Sequence, residues 1–439
     1  MLILKKLRDS GHQTYFAGGC VRDELLGRTP KDYDIATSAL PEDVEALFKK
    51  TVAIGKAFGV IAVVIDGHPY EVATFREEFG YQDGRRPEGV HFCAPEEDAK
   101  RRDFTVNGMF SDPVENRVID FVDGQEDLHK KVIRAIGEPE KRFEEDHLRM
   151  LRAVRFTHTL GFEMEPATRA AITKFAPLIK KISMERIEQE FTRLLTESIK
   201  PGEALRDLLE IGLLKEIMPE LLPMVGMEQP PQYHPEGDVF EHTCLMLNLM
   251  DLSKVESARE LAYTVLLHDV GKPPTKSIGP GRDGKPRIRF DGHASEGAKM
   301  AEHILRRFRI PNKEQKHILQ AIKDHMRFVD IPHMRKATKR RLVGSETFPL
   351  ELELHRVDCA GSHEDLSNYD LLLQFQEEMA NEPVLPDPWV TGRDLIELGL
   401  KPGPDFKAML DAAYQRQMND EATDKESLLI WLKHEYKLD

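Results

Sequence analysis

Residues 16–37 read FAGGCVRDELLGRTPKDYDIAT, and this stretch decides the fold. Gly18 and Gly19 stand just before a predicted helix, and Asp32 and Asp34 follow two residues apart. On a strand such residues point to one face. Two carboxylates held together beside a glycine turn can grip Mg²⁺, while bare N–H groups of the turn and Arg22 take nucleotide phosphates. Nucleotidyl transfer uses this layout, because two metals about 3.5–4 Å apart activate an attacking 3′-hydroxyl and stabilise the leaving pyrophosphate. A third acid is expected nearby. Glu71 in YEVATF shares a face with Ala73 and Phe75, where a carboxylate is costly unless paired or liganding. Asp32, Asp34 and Glu71 are therefore the predicted catalytic acids, with Mg²⁺ on Asp32 and Asp34.

Outward from this segment, the runs VIAVVID, YEVATF and RVIDFVD alternate with Gly/Asp-rich turns as far as about Arg134, an α/β pattern on a small sheet. From Pro139 the apolar period lengthens, with Leu148, Leu151, Val154 and Phe156 recurring at helical steps, and helix dominates to the end. Pro-rich breaks fall at 218–235 and 383–388. The expected fold class is α+β. A sheet-bearing head (1–138) is followed by a helical neck (139–225), a helical body (226–380) and a helical tail (381–439).

The 439 residues carry a net charge of −14, from 62 Lys+Arg against 76 Asp+Glu. An acidic chain is an unusual partner for nucleic acid, whose affinity comes from clustered cations. Such clusters exist locally at 100–102, 306–309 and 335–341. The longest apolar runs, at 59–65 and 263–267, fall well short of the roughly 20 residues of a membrane helix. The N-terminus lacks the apolar core and cleavage site of a signal peptide, so a cytoplasmic location is expected. The 4 cysteines form no CxxC pair, against a disulfide framework or a structural zinc site.

The run GGCVRDELLGRTPKDYDIAT is one of five ordered segments. RRDFTVNGMF starts at Arg101, VIDFVDGQEDLHKKVIR ends at Arg134, EEDHLRMLRAVRF starts at Glu144 and ISMERIEQE starts at Ile182. Together they resemble the successive motifs of the nucleotidyltransferase branch that holds bacterial and eukaryotic tRNA nucleotidyltransferases (CCA-adding enzymes) and bacterial poly(A) polymerases. The resemblance implies template-independent addition of CCA to tRNA 3′ ends from CTP and ATP, with Mg²⁺ as cofactor and no protein partner. A poly(A) polymerase or an A-adding enzyme remains open, because the same motifs serve all three. One departure is Gly108, where the family pattern has Ala; the position reads as turn-permissive.

Asp146 and Arg149 are expected on one helix face, with Arg152 and Arg155 continuing at the same step. Cytosine and adenine both present an amine donor beside a ring-nitrogen acceptor. An Asp that accepts from the amine and an Arg that donates to the nitrogen would admit C and A and leave unpaired groups against U and G. The resemblance assigns this template role to Asp146 and Arg149. Gly18, Gly19, Arg22, Arg102, Arg152 and Arg155 complete the expected nucleotide-binding set, and Asp103 is a candidate partner of the catalytic layer. Residues 75–92 resemble the flexible loop with which family members pass from adding C to adding A.

A second constellation lies farther along. FEHTC supplies His242, LLHDVGKP supplies His268 and Asp269, FDGHASEG supplies His293, IKDHM supplies His325 and HRVDCAG supplies Asp358. Imidazole and carboxylate suit a divalent or transition metal. The order of these residues resembles the HD-domain phosphohydrolases, which implies His242, His268, Asp269 and Asp358 as ligands, with His293 and His325 at a second position. An HD hydrolase as the main activity is the more distant alternative. In the tail, Gly403 between Pro402 and Pro404 separates two predicted helices, a turn open to an RNA phosphate or to simple helix packing.

Overall fold

A computed structural model describes residues 1–80, 88–230, 234–280 and 286–438. Its first nine strands are β1 (Thr14–Ala17), β2 (Asp34–Thr37), β3 (Thr51–Gly55), β4 (Val60–Ile65), β5 (His68–Thr74), β6 (Arg76–Phe79), β7 (Gly89–Phe92), β8 (Phe110–Asp112) and β9 (Arg117–Ile119). Seven of them form one sheet in the order β3-β4-β5-β2-β1-β8-β9. The pairing of β2 with β5 is parallel, with Ile35 opposite Val72, and β1 runs antiparallel to β2, with Ala17 opposite Asp34. This register sets the ends of β1 and β2 and the early part of β5 side by side. Beneath the sheet Tyr15, Ala17, Ala36, Phe75, Ala99 and Phe110 pack into one cluster. The fold class is α+β, as the change of period at Pro139 indicates.

The segment 75–92 differs from the loop expected of it. Its two arms, β6 and β7, pair antiparallel from Arg76–Phe92 to Phe79–Gly89, and Phe79 stacks on His91 at 4.4 Å. The tip of the expected loop, 81–87, lies outside the described residues. Alternation of charged and aromatic residues (Arg76, Glu78; Phe79, His91) suits a two-sided hairpin as well as a loop.

Helix Leu148–Leu160 packs on helix Met184–Glu197. Met150, Leu151 and Val154 of the first and Phe191, Leu194 and Leu195 of the second are fully buried. Each such side chain contributes about 1.5–3 kcal/mol on burial. Gly161, at φ 71°, ends the first helix in the left-handed conformation that glycine adopts without strain.

The chain forms two compact units, residues 1–222 with 307–309, and residues 223–306 with 310–439. The second is helical, including Val239–Leu249, Ala258–Leu267, Asn312–Asp324 and Phe348–Ala360. Near its C-terminal end Leu395, Met409, Leu428 and Leu432 form a separate apolar cluster, and Gly403 stands in extended conformation ahead of helix Pro404–Met418. The basic stretch 335–341 meets acidic neighbours there, with Arg340 2.8 Å from Glu382 and Lys336 paired with Asp420. Among the described residues no helix is long and apolar enough to cross a membrane.

Candidate functional site

A cleft of about 840 Å³ in the first unit is lined by Gly18, Gly19, Arg22, Asp32, Asp34 and Arg102 from the head and by Asp146, Arg149, Arg152 and Arg155 from the neck. Residues drawn from segments more than a hundred positions apart in sequence thus share one cavity. Glu71 is not part of its lining. It stands one register step before the Ile35–Val72 pairing, beside Asp34 on the neighbouring parallel strand.

The local arrangement differs from the sequence reading in two ways. Asp32 precedes β2, which begins at Asp34, so the two acids straddle the start of the strand. The Gly18 N–H donates to the Met109 carbonyl at 3.1 Å and is not bare. The open donors at this turn belong to the first turn of helix Gly19–Leu25, whose N–H groups have no acceptor within the helix. A Cβ at Gly18 would lie 3.2 Å from Arg102 Nη1, so the glycine lets that guanidinium approach.

Burial and the Asp32 charge hold the Asp34 carboxyl above the usual carboxylate range, with Arg102 opposing. Burial, then Asp34 and Asp32, raise Glu71 in the same direction. Among the described residues none of these three acids has an ion-pair partner. Neighbouring carboxylates that repel one another and lack a cation partner suit a divalent ion. The residues therefore fit Mg²⁺.

The arginines are held in place by acids. Arg22 donates to Asn107 Oδ1 at 2.7 Å and to Asp23 at 2.7 Å, and lies 5.3 Å over the Phe156 ring. Arg102 donates to Asp98 at 3.0 Å. Arg152 donates to Asp103 Oδ2 at 2.6 and 2.9 Å and to Glu190 at 3.3 Å, and Arg155 donates to Glu190 at 2.6 Å.

Asp146 and Arg149 do not share a helix, contrary to the spacing argument. Helix Pro139–Glu145 ends before Asp146, which has extended φ/ψ and accepts from the N–H of Leu148, the first residue of the next helix. Its carboxylate is 2.8 Å from Arg186 Nη2. Arg149 instead donates to Glu145 at 2.7 Å and to the carbonyls of Arg142 and Arg101 at 3.2 and 3.0 Å. These bonds commit three of the five guanidinium N–H groups.

Sequence reasoning named ISMERIEQE as a motif without seeing that Arg186, Glu190 and Arg193 line the cleft. The signal was available. Positions 186, 190, 193 and 197 recur at steps of four and three, one face of a helix.

In the second unit the histidine–aspartate set also converges. His242, His268 and Asp358 offer ligand atoms within 4.8 Å of one another, as do Asp269, His293 and His325. Asp269 falls between the two groups, with Oδ2 3.1 Å from His268 Nε2 and Oδ1 3.5 Å from His293 Nε2. It therefore belongs with His293 and His325 as much as with the ligand group expected for it. A Cβ at Gly271 of HDVGK would lie 2.2 Å from the His293 carbonyl oxygen, so only glycine lets this turn sit against the His293 helix.

Three of the histidines are oriented by backbone carbonyls. The Nδ1 atoms of His268, His293 and His325 lie 2.8, 2.8 and 2.6 Å from the carbonyl oxygens of Val265, Phe290 and Ile322. A carbonyl can only accept, so each Nδ1 carries a proton and Nε2 is the ring nitrogen turned toward the centre, where those of His293 and His325 lie 3.1 Å apart. His268 Nε2 and Asp269 Oδ1 are buried without a hydrogen-bond partner, which fits a bound cation. Two residues absent from the sequence reading, Glu236 and Lys272, touch this centre, the first 2.6 Å from His242 and the second 2.6 Å from Asp269.

Comparison with known proteins finds family matches along most of the chain. Residues 14–134 match the Poly A polymerase head domain family, 161–224 the probable RNA and SrmB-binding site of polymerase A, and 239–360 the HD domain. The CCA-adding enzyme of Geobacillus stearothermophilus is 36% identical over 445 residues, covering 98% of this chain and 95% of that protein. The CCA-adding enzyme of Bacillus licheniformis is 48% identical over 216 residues, 49% of this chain and 54% of that protein. The crystal structure of the Bacillus stearothermophilus CCA-adding enzyme in complex with CTP superposes with a TM-score of 0.75 at 30% identity, covering 99% of this chain and 96% of that one. Matched along nearly the whole length of both chains, this protein belongs to the CCA-adding enzyme family of nucleotidyltransferases.

Proposed function

We propose that the chain adds the CCA end to tRNA from CTP and ATP, in the cytoplasm, and that the head–neck cleft is where it does so. One observation carries the reading. The glycine turn, the unpaired acids and the Asp146/Arg149 pair, separate in sequence, line or border one cleft.

Asp32 and Asp34 would hold Mg²⁺, with Glu71 completing the acid set. When bound, the metal would supply activation of the primer 3′-hydroxyl and stabilisation of the departing pyrophosphate. Arg22, fixed by Asp23 and Asn107, and Arg102, fixed by Asp98, present rigid donors for the triphosphate beside Gly18 and Gly19. Arg152 and Arg155 extend the same positive lining, with Asp103 and Glu190 restraining their rotamers. Asp146 would accept from the exocyclic amine shared by cytosine and adenine, and Arg149 retains N–H groups to donate to the adjacent ring nitrogen.

The test supplies transcripts ending before CCA, after C and after CC, with Mg²⁺ and CTP alone, ATP alone or both, and sequences the products. Faithful CCA ends that stop are expected. Addition of A only to CC ends would replace the reading with an A-adding enzyme, and long A runs on unrelated RNA with a poly(A) polymerase.

A second activity has its own support. The converging histidine and aspartate ligand atoms and the unpartnered Asp269 oxygen favour a metal-dependent phosphohydrolase at the HD centre. Hydrolysis of cyclic phosphates or phosphodiesters with added Ni²⁺, Mn²⁺ or Mg²⁺, abolished by His268→Ala, would establish it. Absence of hydrolysis with all three ions would remove it.

A further inference from the structure

We infer that His147 is a positioning residue for base selection, its imidazole holding the helix break that presents Asp146 to the cleft; the assignment rests on reading Asp146 as the base-selecting group. Helix Pro139–Glu145 and helix Leu148–Leu160 are separated only by Asp146 and His147, and these two differ. Asp146 is extended, at φ −141° and ψ 105°, whereas His147 is already helical, at φ −61° and ψ −22°. A single extended residue thus makes the break, and it is the residue whose carboxylate lines the cleft.

A helix end leaves carbonyls without main-chain donors. In an unbroken helix the His147 N–H would bond to the Phe143 carbonyl, one turn back. Among the described residues that bond is not made, and His147 Nδ1 takes its place at 2.6 Å. A carbonyl only accepts, so the imidazole N–H donates. Phe143 is fully buried, and a carbonyl so placed requires a donor. The Arg142 carbonyl is served in a similar way, by Asp146 N–H at 3.4 Å and Arg149 Nη1 at 3.2 Å. Side chains after the break therefore satisfy the carbonyls before it.

Stability does not account for this histidine. Its Nε2 is buried without a hydrogen-bond partner, so the gain from one hydrogen bond is set against the cost of one unpaired group, and the two are of similar size. What the ring supplies is conformation. With the Phe143 carbonyl satisfied by a side chain, Asp146 stays extended, its Oδ1 accepting from Leu148 N–H at 3.0 Å and its Oδ2 from Arg186 at 2.8 Å. Loss of the Nδ1 donor favours the main-chain bond to Phe143 instead, which would continue the helix through Asp146 and turn its carboxylate away from this place.

The experiment uses the full-length protein and competition of CTP with UTP on transcripts ending before CCA, and of ATP with GTP on transcripts ending after CC. His147→Asn keeps an amide donor where Nδ1 stands, and His147→Gln moves it to the place of Nε2. Thermal unfolding checks that each variant is folded. His147→Asn is expected to keep most of the preference for CTP and ATP, and His147→Gln to reduce it about 10–100-fold, the effect of displacing a positioned group by about 1 Å. Loss of the preference in folded His147→Asn overturns the inference. So does its retention in His147→Gln, including the case in which all four nucleotides are slowed by one factor, as a purely structural role would do. Added to Asp146→Ala, His147→Gln should cause no further loss of preference, because both act through one carboxylate. Should Asp146→Ala alone leave the preference unchanged, the base-reading assignment falls and the inference with it; preference lost in Asp146→Ala but kept in His147→Gln removes the inference alone.

Discussion

Asp103 and Arg152 are joined by two hydrogen bonds of 2.6 and 2.9 Å across 49 residues of sequence, tying the head to the helix that carries the cleft arginines. Burial pushes the Asp103 carboxyl up, but the charge and hydrogen bonds of Arg152, with the charge of Arg149, pull it down to about 2 from an ordinary 3.8. The folded value lies below the unfolded one, so this stabilisation is complete above about pH 4 and is lost as the pH falls through about 2. The shift corresponds to about 2 kcal/mol. Asp103→Asn should lower the urea midpoint at pH 7, and the difference from the unmodified protein should shrink between pH 4 and 2. A pH-independent difference would contradict the pairing.

Asp34→Asn should nearly abolish nucleotide incorporation without lowering thermal stability, because the side chain makes no ion pair and its charge is disfavoured by burial and by Asp32. Loss of a metal-holding carboxylate removes several kcal/mol of transition-state stabilisation, roughly a thousandfold in rate. Single-turnover incorporation of labelled CTP with excess Mg²⁺ measures it, and a rate within tenfold of normal would refute the acid assignment.

Asp146→Ala should reduce the preference for CTP and ATP over UTP and GTP by roughly 10–100-fold, the cost of one buried hydrogen-bonding group left unpaired. Arg186→Gln, which removes the guanidinium 2.8 Å from Asp146, should raise KM for CTP and ATP more than it lowers kcat. Competition between paired nucleotides reads the first and steady-state kinetics the second. An unchanged preference in Asp146→Ala would exclude Asp146 as the base-reading group.

Gly108→Ala should destabilise the head by about 1–3 kcal/mol, the usual cost of overpacking. The residue closes the turn Thr105–Asn107 with φ −89°, open to any side chain, so its backbone conformation does not require glycine. What disfavours alanine is packing, since a Cβ would lie 2.6 Å from Val122 Cγ2 and 2.9 Å from Ile136 Cδ1 and those side chains would have to shift. A fall in Tm by several degrees is expected, and Val122→Ala in the same chain should recover part of it. An unchanged Tm would mean that those side chains give way freely.

The order of motifs and the change from sheet to helix near Pro139 were determined by the sequence alone. Each rests on features that act over a few residues: glycine at a turn, alternation on a strand, three- and four-residue steps on a helix. Partner choice was decided only by tertiary structure. Spacing put Asp146 beside Arg149, yet a helix break turns Asp146 toward Arg186, 40 positions away, and leaves Arg149 to Glu145. The same holds for His242 and Asp358, 116 positions apart, and for the place of Glu236 behind that ring. In a chain with 62 Lys and Arg and 76 Asp and Glu, many pairings are chemically equivalent, and only the packing of distant helices brings one particular pair within 3 Å.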